Sequence, residues 1–502
     1  MTFTNRRFCY DCSSFLFTDA CGTCQTASER LGDRGDFKRF VNTMNNENTL
    51  VPKSIIDKIS WPAFPGNEAT SMLAMQFQLE KSQWWSPEEL KKHQFIQLKQ
   101  VMSHALQTVP FYRNFYAHMN KDFLKNLTDE WANIPLLKRE HIQKAGKSML
   151  STNIPGQHGK IHNMKTSGST GKPISVFGTQ VTRFIWAALT LREHLWHKRD
   201  FGLKHATIRY IGENLGLAKQ GLNQKSWGPS IGTVFLTGPG VVLNIDGSIQ
   251  EQADWLIKQN PDYLLTHPTN ALALARHFID NNEVLPKLKE IRTLSEMIDE
   301  QVRIGCKNAW GVSVTDMYST SEAGYIAFQC PEHEHYHVQS ESVLVEILNE
   351  TGEQCLPGEI GKVVLTNLHN FAFPLIRYDI GDYAEAGNPC PCGRGLPVIK
   401  NILGRVRNIM TLPNGEKKWP LVDYKKCSQV VKIIQMQTIQ KSLKELEVKL
   451  VLERTMTDKE KDSLVNVMQT SLGYPFEISF SFHREIPRSK SGKFEDFISH
   501  VS

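Results

Sequence analysis

The stretch between about residues 205 and 320 places the strongest constraint on the fold of this chain. Short apolar runs, such as PDYLLTH and ALALARHF, alternate there with helical and turn segments. This alternation is typical of an α/β architecture, in which strands and helices follow one another along the chain. The chain has 502 residues, and at roughly 150 residues per domain this length allows about three folded units.

Charge and hydropathy exclude several classes of protein. The 58 Lys and Arg residues are interleaved with 52 Asp and Glu residues, so they form no basic stripe that would indicate nucleic acid as a partner. No apolar run approaches the length of a membrane span. The apolar patch near the start is interrupted by polar residues such as Asp11 and Ser13, and no small-residue cleavage site follows it. The sequence therefore predicts a cytoplasmic protein without nucleic-acid or membrane partners.

Cysteine placement points to metal binding. Four of the ten cysteines lie near the start in two C-x-x-C pairs, Cys9, Cys12, Cys21 and Cys24. This spacing lets thiolates from tight turns reach one zinc ion, so we expect a short zinc knuckle. The isolated cysteines are expected to be small buried hydrophobes: Cys306, Cys355 and Cys427.

A second group of soft ligands lies further along the chain. Cys330, Cys390 and Cys392 combine with one histidine of the cluster at 333–337. We choose His337, because His333 and the histidine at 335 lie in a more acidic stretch. Four ligands leave no open position, so we predict a structural Zn²⁺ site. The alternative is a set of exposed histidines and buried thiols without metal.

Composition and periodicity divide the chain into three segments. Residues 1–50 hold the Cys-rich extension and a polar linker, residues 51–403 form the main body, and residues 404–502 form a compact α+β unit. In the last segment, alternating apolar residues predict strands over 446–452 and 476–482. Thr457 and Glu460 are placed to form a capping box for the helix between them.

A polar cluster in the predicted helix after residue 180 could be taken for a metal site. Glu193, His194 and His197 are close in sequence but lack the H-E-x-x-H order of zinc proteases. We therefore expect these side chains to lie on the helix surface.

The segment KTSGSTGKP at 165–173 has the chemistry of a polyphosphate-binding loop. Its glycines permit close backbone approach, its hydroxyls donate hydrogen bonds, and its lysines supply positive charge. It does not match a P-loop, which would require Gly at 166 and Ser or Thr at 173. The S-x-x-K pattern of penicillin-binding enzymes is present, but its partner motifs are absent from the sequence. Taken alone, the loop is equally consistent with a solvated turn.

Five motifs in order resemble those of the adenylate-forming superfamily of acyl-CoA synthetases and adenylation domains. They are KTSGSTGKP at 165–173, YSTSE at 318–322, PLIRYDIGD at 374–382, Gly404-Arg405, and PRSKSGK at 487–493. Within the superfamily, VPFYR at 109–113, PLLK at 135–138, PLIRYDIGD and CPCGR at 390–394 are most similar to the phenylacetate-CoA ligase branch. The resemblance covers about residues 80 to 500.

The resemblance implies a large α/β adenylate-forming domain followed by a small mobile α+β lid, with the zinc knuckle outside it. It also implies ATP-dependent activation of a small carboxylic acid as acyl-AMP, with release of pyrophosphate and with Mg²⁺ as cofactor. Lys493 would approach the developing charge, Ser321 would contact the α-phosphate, and Glu322 would hold Mg²⁺. Tyr318 would lie against adenine, and Asp382 would bind the ribose with Arg405 nearby. The phosphate loop would hold the β and γ phosphates through Thr166, Ser167, Gly168, Ser169, Thr170, Gly171 and Lys172.

Departures from the family pattern leave the acceptor open. The chain has Ser at 319 and 321 where Gly and Thr are usual, Arg407 and Asn408 where an acid is common, and LPNGEKKWP at 412–420 instead of a glycine-rich stretch. CoA, a carrier-protein thiol or an amine could therefore accept the acyl group. A zinc-bearing nucleotide-binding module without turnover is the non-enzymatic alternative, and a homodimer is left open. Pocket residues are expected around Tyr112, 227–237, 267–269 and 294–296.

Overall fold

The computed structural model describes residues 50–119, 122–165, 174–212, 220–405, 410–418, 420, 422, 424–488 and 493–501. The elements described below belong to one compact unit, residues 52–502. Two groups of predicted site residues lie outside the described residues. They are the four N-terminal cysteines, Cys9, Cys12, Cys21 and Cys24, and the phosphate-loop residues at 166–172.

Helices of the described part lie mainly before and between the strands. The α-helices are α1 (Asn67–Ser82), α2 (Pro87–Thr108), α3 (Pro110–Phe115), α4 (Leu127–Glu130), α5 (Arg139–Ala145), α6 (Gln180–Trp196), α7 (Pro229–Gly232), α8 (Ile249–Gln259), α9 (Pro268–Asp280), α10 (Glu300–Trp310), α11 (Tyr424–Val430) and α12 (Asp458–Leu472).

The strands form one large sheet and three smaller ones. Their bounds are β1 (His162–Lys165), β2 (Ser175–Gly178), β3 (His205–Arg209), β4 (Leu222–Gln224), β5 (Gly240–Asn244), β6 (Tyr263–Thr266), β7 (Glu290–Leu294), β8 (Ser313–Thr320), β9 (Gly324–Gln329), β10 (Tyr336–Val338), β11 (Val343–Leu348), β12 (Ile360–Asn367), β13 (Tyr378–Ala386), β14 (Val398–Arg405), β15 (Met410–Thr411), β16 (Lys417–Lys418), β17 (Ile433–Gln440), β18 (Glu445–Leu452), β19 (Glu477–Phe482) and β20 (Phe497–Ser499). The large sheet has the order β11-β12-β13-β14-β10-β9-β8-β7-β6-β3-β5-β4.

The parallel part of the large sheet confirms the α/β prediction. Strands β3, β5, β6, β7 and β8 run parallel, and α8, α9 and α10 connect successive members of this group. One face of these strands packs an apolar core that includes Ile208, Leu264 and Ile291. Because parallel strands share a direction, their carboxyl ends meet at one edge, where ligands bind in open α/β sheets.

The C-terminal segment forms a separate sheet with the order β19-β18-β17-β20. The predicted strands are present at Glu445–Leu452 and Glu477–Phe482. Thr457 and Glu460 form the predicted capping box of α12. This helix packs Leu464 and Met468 against Val448 and Leu450 of β18. Across the described ranges, no helix combines the length and apolarity that a membrane crossing requires.

The expectation that Glu193, His194 and His197 lie on a helix surface is wrong. Glu193 is 1% exposed and His194 is 3% exposed, and both lie inside a cluster of charged groups. The Glu193 carboxylate lies 2.8 Å from Arg199 and also pairs with Arg292. Burial opposes the charge on Glu193, but the two guanidinium groups outweigh burial and lower its pKa to about 2. The cluster is possible because each buried charge has a partner.

Candidate active site

A tight hairpin carries Ser321 and Glu322 to the carboxyl edge of the parallel strands. It joins β8 to β9, with Thr320 paired to Gly324. The Thr320 hydroxyl accepts a hydrogen bond from the Ala323 amide at 3.1 Å, and Gly324 adopts a φ of 83°, which favours glycine. Ser321 is exposed and Glu322 is 8% exposed. The turn therefore presents a hydroxyl and a carboxylate side by side.

Asp382 lies in β13 and is held by two neighbours. The Tyr318 hydroxyl donates a hydrogen bond of 2.8 Å to Oδ2 of Asp382. Arg405, paired with Asp382 in the register of β13 and β14, places its Nε 3.5 Å from Oδ1. Burial raises the pKa of Asp382, opposed by Arg405 and by the bond from Tyr318. Burial also raises the pKa of Tyr318 well above its ordinary value, so this hydroxyl remains a donor at neutral pH.

Lys493 approaches the same region from the C-terminal segment. Burial and the nearby charge of Arg405 lower the pKa of its ammonium group, while Asp382, Glu296 and Glu322 oppose this shift. Lys493 thus lies within electrostatic reach of both predicted site carboxylates. The structure brings Tyr318, Glu322, Asp382, Arg405 and Lys493 together around one edge of the sheet.

Some residues at this edge were not predicted from the sequence. Arg139, the first residue of α5, has its Nη1 3.5 Å from Oε1 of Glu322. Trp186 of α6 stacks on Tyr325 of β9 with ring centroids 4.2 Å apart. Arg139 follows PLLK directly, so its position beside a quoted motif was an available signal. The stacked pair joins a helix to a distant strand, and no local pattern indicates it.

Tyr112 does not belong to a pocket. It is fully buried, and its hydroxyl donates a hydrogen bond of 2.8 Å to the carbonyl of Pro374. Its neighbours Pro110, Phe111, Asn114 and Phe115 line a cavity together with Ser148, so the expectation of pocket residues around Tyr112 stays a prediction.

The four residues of the predicted second zinc group converge. One ligand atom from each of Cys330, His337, Cys390 and Cys392 lies within 4.8 Å of all the others. The sulfurs of Cys330 and Cys390 are 3.8 Å apart, and Cys392 Sγ is 3.5 Å from His337 Nε2. Tetrahedral zinc with ordinary bond lengths gives about 3.8 Å between two sulfurs and about 3.6 Å between sulfur and nitrogen. The donor set and its spacing fit zinc.

The guanidinium group of Arg394 contacts the cysteine–histidine cluster. Arg394 Nη1 donates to Cys392 Sγ at 3.4 Å. The same group lies between two indole rings, 4.9 Å from the centroid of Trp84 and 4.7 Å from that of Trp196. A donor to a thiolate stabilises its negative charge, as outer residues around metal sites commonly do.

Comparisons with known proteins agree with this fold. The family model described as the CapK C-terminal domain matches residues 420–500. Phenylacetate-coenzyme A ligase of Thermus thermophilus is 25% identical over 335 residues, which cover 65% of this chain and 72% of the relative. Phenylacetate-coenzyme A ligase of Pseudomonas putida is 26% identical over 313 residues, covering 59% of this chain and 66% of the relative.

A solved structure extends the comparison beyond these aligned regions. The crystal structure of 2-hydroxyisobutyryl-CoA ligase in its postadenylation state has a TM-score of 0.65, covering 84% of this chain and 91% of its own, at 18% identity. The likeness establishes the shared fold, a mixed α/β body with a C-terminal domain. With the relatives above, it confirms the predicted resemblance. The chain is thus similar to the adenylate-forming superfamily and, within it, to the phenylacetate-CoA ligase-like branch.

Proposed function

We propose that this protein is an ATP-dependent, AMP-forming acid–CoA ligase. The observation that carries the proposal is the convergence of Lys493 with Glu322, Asp382 and Arg405 at one edge of the sheet. In the first step, a carboxylate oxygen attacks the α-phosphorus of ATP, and the bond to pyrophosphate breaks. Negative charge builds up between the two reactants, so a positioned cation lowers the barrier.

The residues around this edge divide the task. Asp382 would accept hydrogen bonds from the ribose hydroxyls, with its orientation fixed by Tyr318 and Arg405. Ser321 would donate to the α-phosphate. Lys493 would place its ammonium beside the developing charge. The segment at 166–172, with its hydroxyls, glycines and Lys172, would hold the β and γ phosphates.

Two kinds of metal ion belong to the proposal. Glu322 would hold Mg²⁺, which neutralises phosphate charge when bound, while Arg139 lies against the same carboxylate. Cys330, His337, Cys390 and Cys392 would hold a structural Zn²⁺, which the spacing of their ligand atoms supports. The cysteines at 9, 12, 21 and 24 would hold a second Zn²⁺. We also propose the division at 404, with the lid over 404–502.

The acyl acceptor is proposed from the relatives, which are CoA ligases by name. In the second step, the CoA thiol would attack the acyl carbon of acyl-AMP, and AMP would leave. A carrier thiol or an amine remains the competing acceptor, because residues 412–420 lack the glycine-rich stretch usual in the family.

A screen of pyrophosphate release over a panel of compact carboxylic acids tests the first step. We expect release that depends on one class of acid, together with acyl-AMP detected by mass spectrometry. Parallel incubations with CoA and with amines then identify the acceptor. Nucleotide binding without acid-dependent release over the whole panel would favour the module without turnover.

A further inference from the structure

Glu296 follows β7 and points its carboxylate into the region where the C-terminal segment meets the large sheet. Ser295, directly before it, has a φ of 73°, which is uncommon for a residue other than glycine. The Glu296 side chain is only 4% exposed. A buried carboxylate on a strained turn needs several partners, because burial without them is costly.

One carboxylate oxygen is bound within the large sheet unit. Oε2 accepts hydrogen bonds from the Thr269 amide at 3.1 Å and from the Thr269 hydroxyl at 2.7 Å. Thr269 lies in the first turn of α9. These two bonds fix the orientation of the carboxylate. They leave its second oxygen, Oε1, available to other donors.

The other oxygen binds the segment that carries Lys493. Oε1 accepts a hydrogen bond of 2.7 Å from the Phe494 amide. Arg488 Nη1 lies 3.6 Å from the same oxygen. The same Arg488 nitrogen donates to the Thr269 hydroxyl at 2.9 Å. Glu296 therefore contacts Phe494, the residue directly after Lys493, and Arg488, five residues before it.

The C-terminal sheet holds the two residues that follow Phe494. Gln437 Nε2 donates to the Glu495 carbonyl at 2.9 Å, and the Thr438 amide donates to the Asp496 carbonyl at 2.8 Å. Residues 494–496 are therefore bound to β17 through the carbonyls of Glu495 and Asp496 and to Glu296 through the Phe494 amide. Phe494, the direct neighbour of Lys493, takes part in this junction.

We propose that Glu296 is a positioning residue, which holds Arg488 and Phe494 and thereby places Lys493 for acid activation. The inference rests on the proposed function for its catalytic consequence, but the docking itself is independent of activity. The hydrogen bond and ion pair of Glu296 go to Phe494 and Arg488, not to Lys493. Glu296 would therefore affect the reaction through the position of the lysine.

A double-mutant cycle tests this dependence. Glu296→Ala should lower kcat of acid-dependent ATP–pyrophosphate exchange by about 100-fold, the cost of a misplaced catalytic group, with little change in KM for ATP. Glu296→Gln keeps an acceptor for the Phe494 amide and should lose less. In a Lys493→Ala background, Glu296→Ala should cause no further loss, since residues that act as a unit are not additive. An equal further loss in that background would overturn the proposal.

Limited trypsin digestion provides a readout that needs no activity. Glu296→Ala should raise the rate of cleavage after Lys493 several-fold, measured by mass spectrometry of the peptides. Lys432→Ala is the matched control, because Lys432, directly before β17, makes an exposed ion pair with Asp280. In this variant the rate of cleavage after Lys493 should equal that of the wild type. Unchanged cleavage in Glu296→Ala would overturn the docking role, even if the wild type shows no exchange and the proposed function fails.

Discussion

The lowered pKa of Lys493 has a direct consequence for pH dependence. Burial and Arg405 both disfavour the charged amine, so it loses its proton at a lower pH than an ordinary lysine. If the ammonium form is required, the exchange rate should fall as the pH rises through this lowered pKa. Lys493→Arg should keep partial activity and move the fall to higher pH, because a guanidinium stays charged. Superimposable alkaline profiles for the two proteins would contradict this role.

The hydrogen bond from Tyr318 to Asp382 gives a second prediction at the same scale. Tyr318→Phe removes the donor at 2.8 Å and leaves a buried carboxylate oxygen without that partner. Hydrogen bonds to charged groups are worth about 1.5–3 kcal/mol, so we expect KM for ATP to rise by about 10-fold or more. Steady-state kinetics at saturating acid would measure it. A matched change, Tyr474→Phe in the C-terminal core, should leave KM unchanged.

The site residues predicted from motifs belong to local sequence patterns, whereas those found only in the structure depend on long-range partners. Tyr318, Asp382 and Lys493 stand in local patterns that can be read along the chain, and the structure places them together. Arg139 lies beside PLLK and Glu296 lies within the expected pocket range 294–296, but their partners are 183 and 198 residues away, and no local pattern encodes those pairings. The prediction that Glu193 lies on a helix surface was wrong because the local sequence shows the charge of Glu193 but not its pairing with Arg199 and Arg292, which allows its burial.

Among the elements, the PLIRYD segment connects distant parts of the chain through Arg377, in addition to being a motif. Arg377, with a φ of 46°, donates from Nη2 to Glu346 of β11 at 2.9 Å and from Nη1 to the carbonyls of Ala132 and Ile134. It therefore ties the chain before β13 to β11 and to the segment that leads into α5.

Removing the Arg377 side chain, and with it these bonds, should destabilise the fold. Arg377→Ala leaves the Glu346 carboxylate buried without its cation, and breaking a buried pair costs about 3–5 kcal/mol. The free energy of unfolding in urea would measure the loss. Arg454→Ala breaks an exposed pair with Glu460 and should change stability little. Equal effects of the two substitutions would contradict the role of Arg377.

The cysteine–histidine cluster joins β9, β10 and the loop before β14. Cys390→Ser should remove one zinc per chain and lower the unfolding temperature, since a structural metal contributes folding energy directly. Cys355→Ser makes the same chemical change at a buried, isolated thiol and should keep the zinc. Elemental analysis of the purified wild type should find about two zinc ions if both proposed sites bind. Absence of zinc from the wild type would contradict both.

At the scale of the whole molecule, the α/β body and the C-terminal α+β sheet follow from periodicity in the sequence. The parallel strands β3 and β5–β8 follow the alternation seen between 205 and 320, and α12 starts at the predicted capping box. Periodicity does not encode the order of strands in the large sheet, which depends on long-range pairing such as β10 with β14. The junction between the two sheets depends on Glu296 and Arg488, and this too is a long-range contact.

In the proposed reaction, a carboxylate oxygen of the substrate attacks the α-phosphorus of ATP. It is tested most directly with an acid labelled with ¹⁸O in its carboxylate, under conditions of complete turnover with the acceptor. We expect one ¹⁸O atom in the AMP product and none in pyrophosphate, because the attacking oxygen stays on phosphorus when the acyl group leaves. Label in inorganic phosphate with ADP as the second product, or turnover without label in AMP, would contradict it.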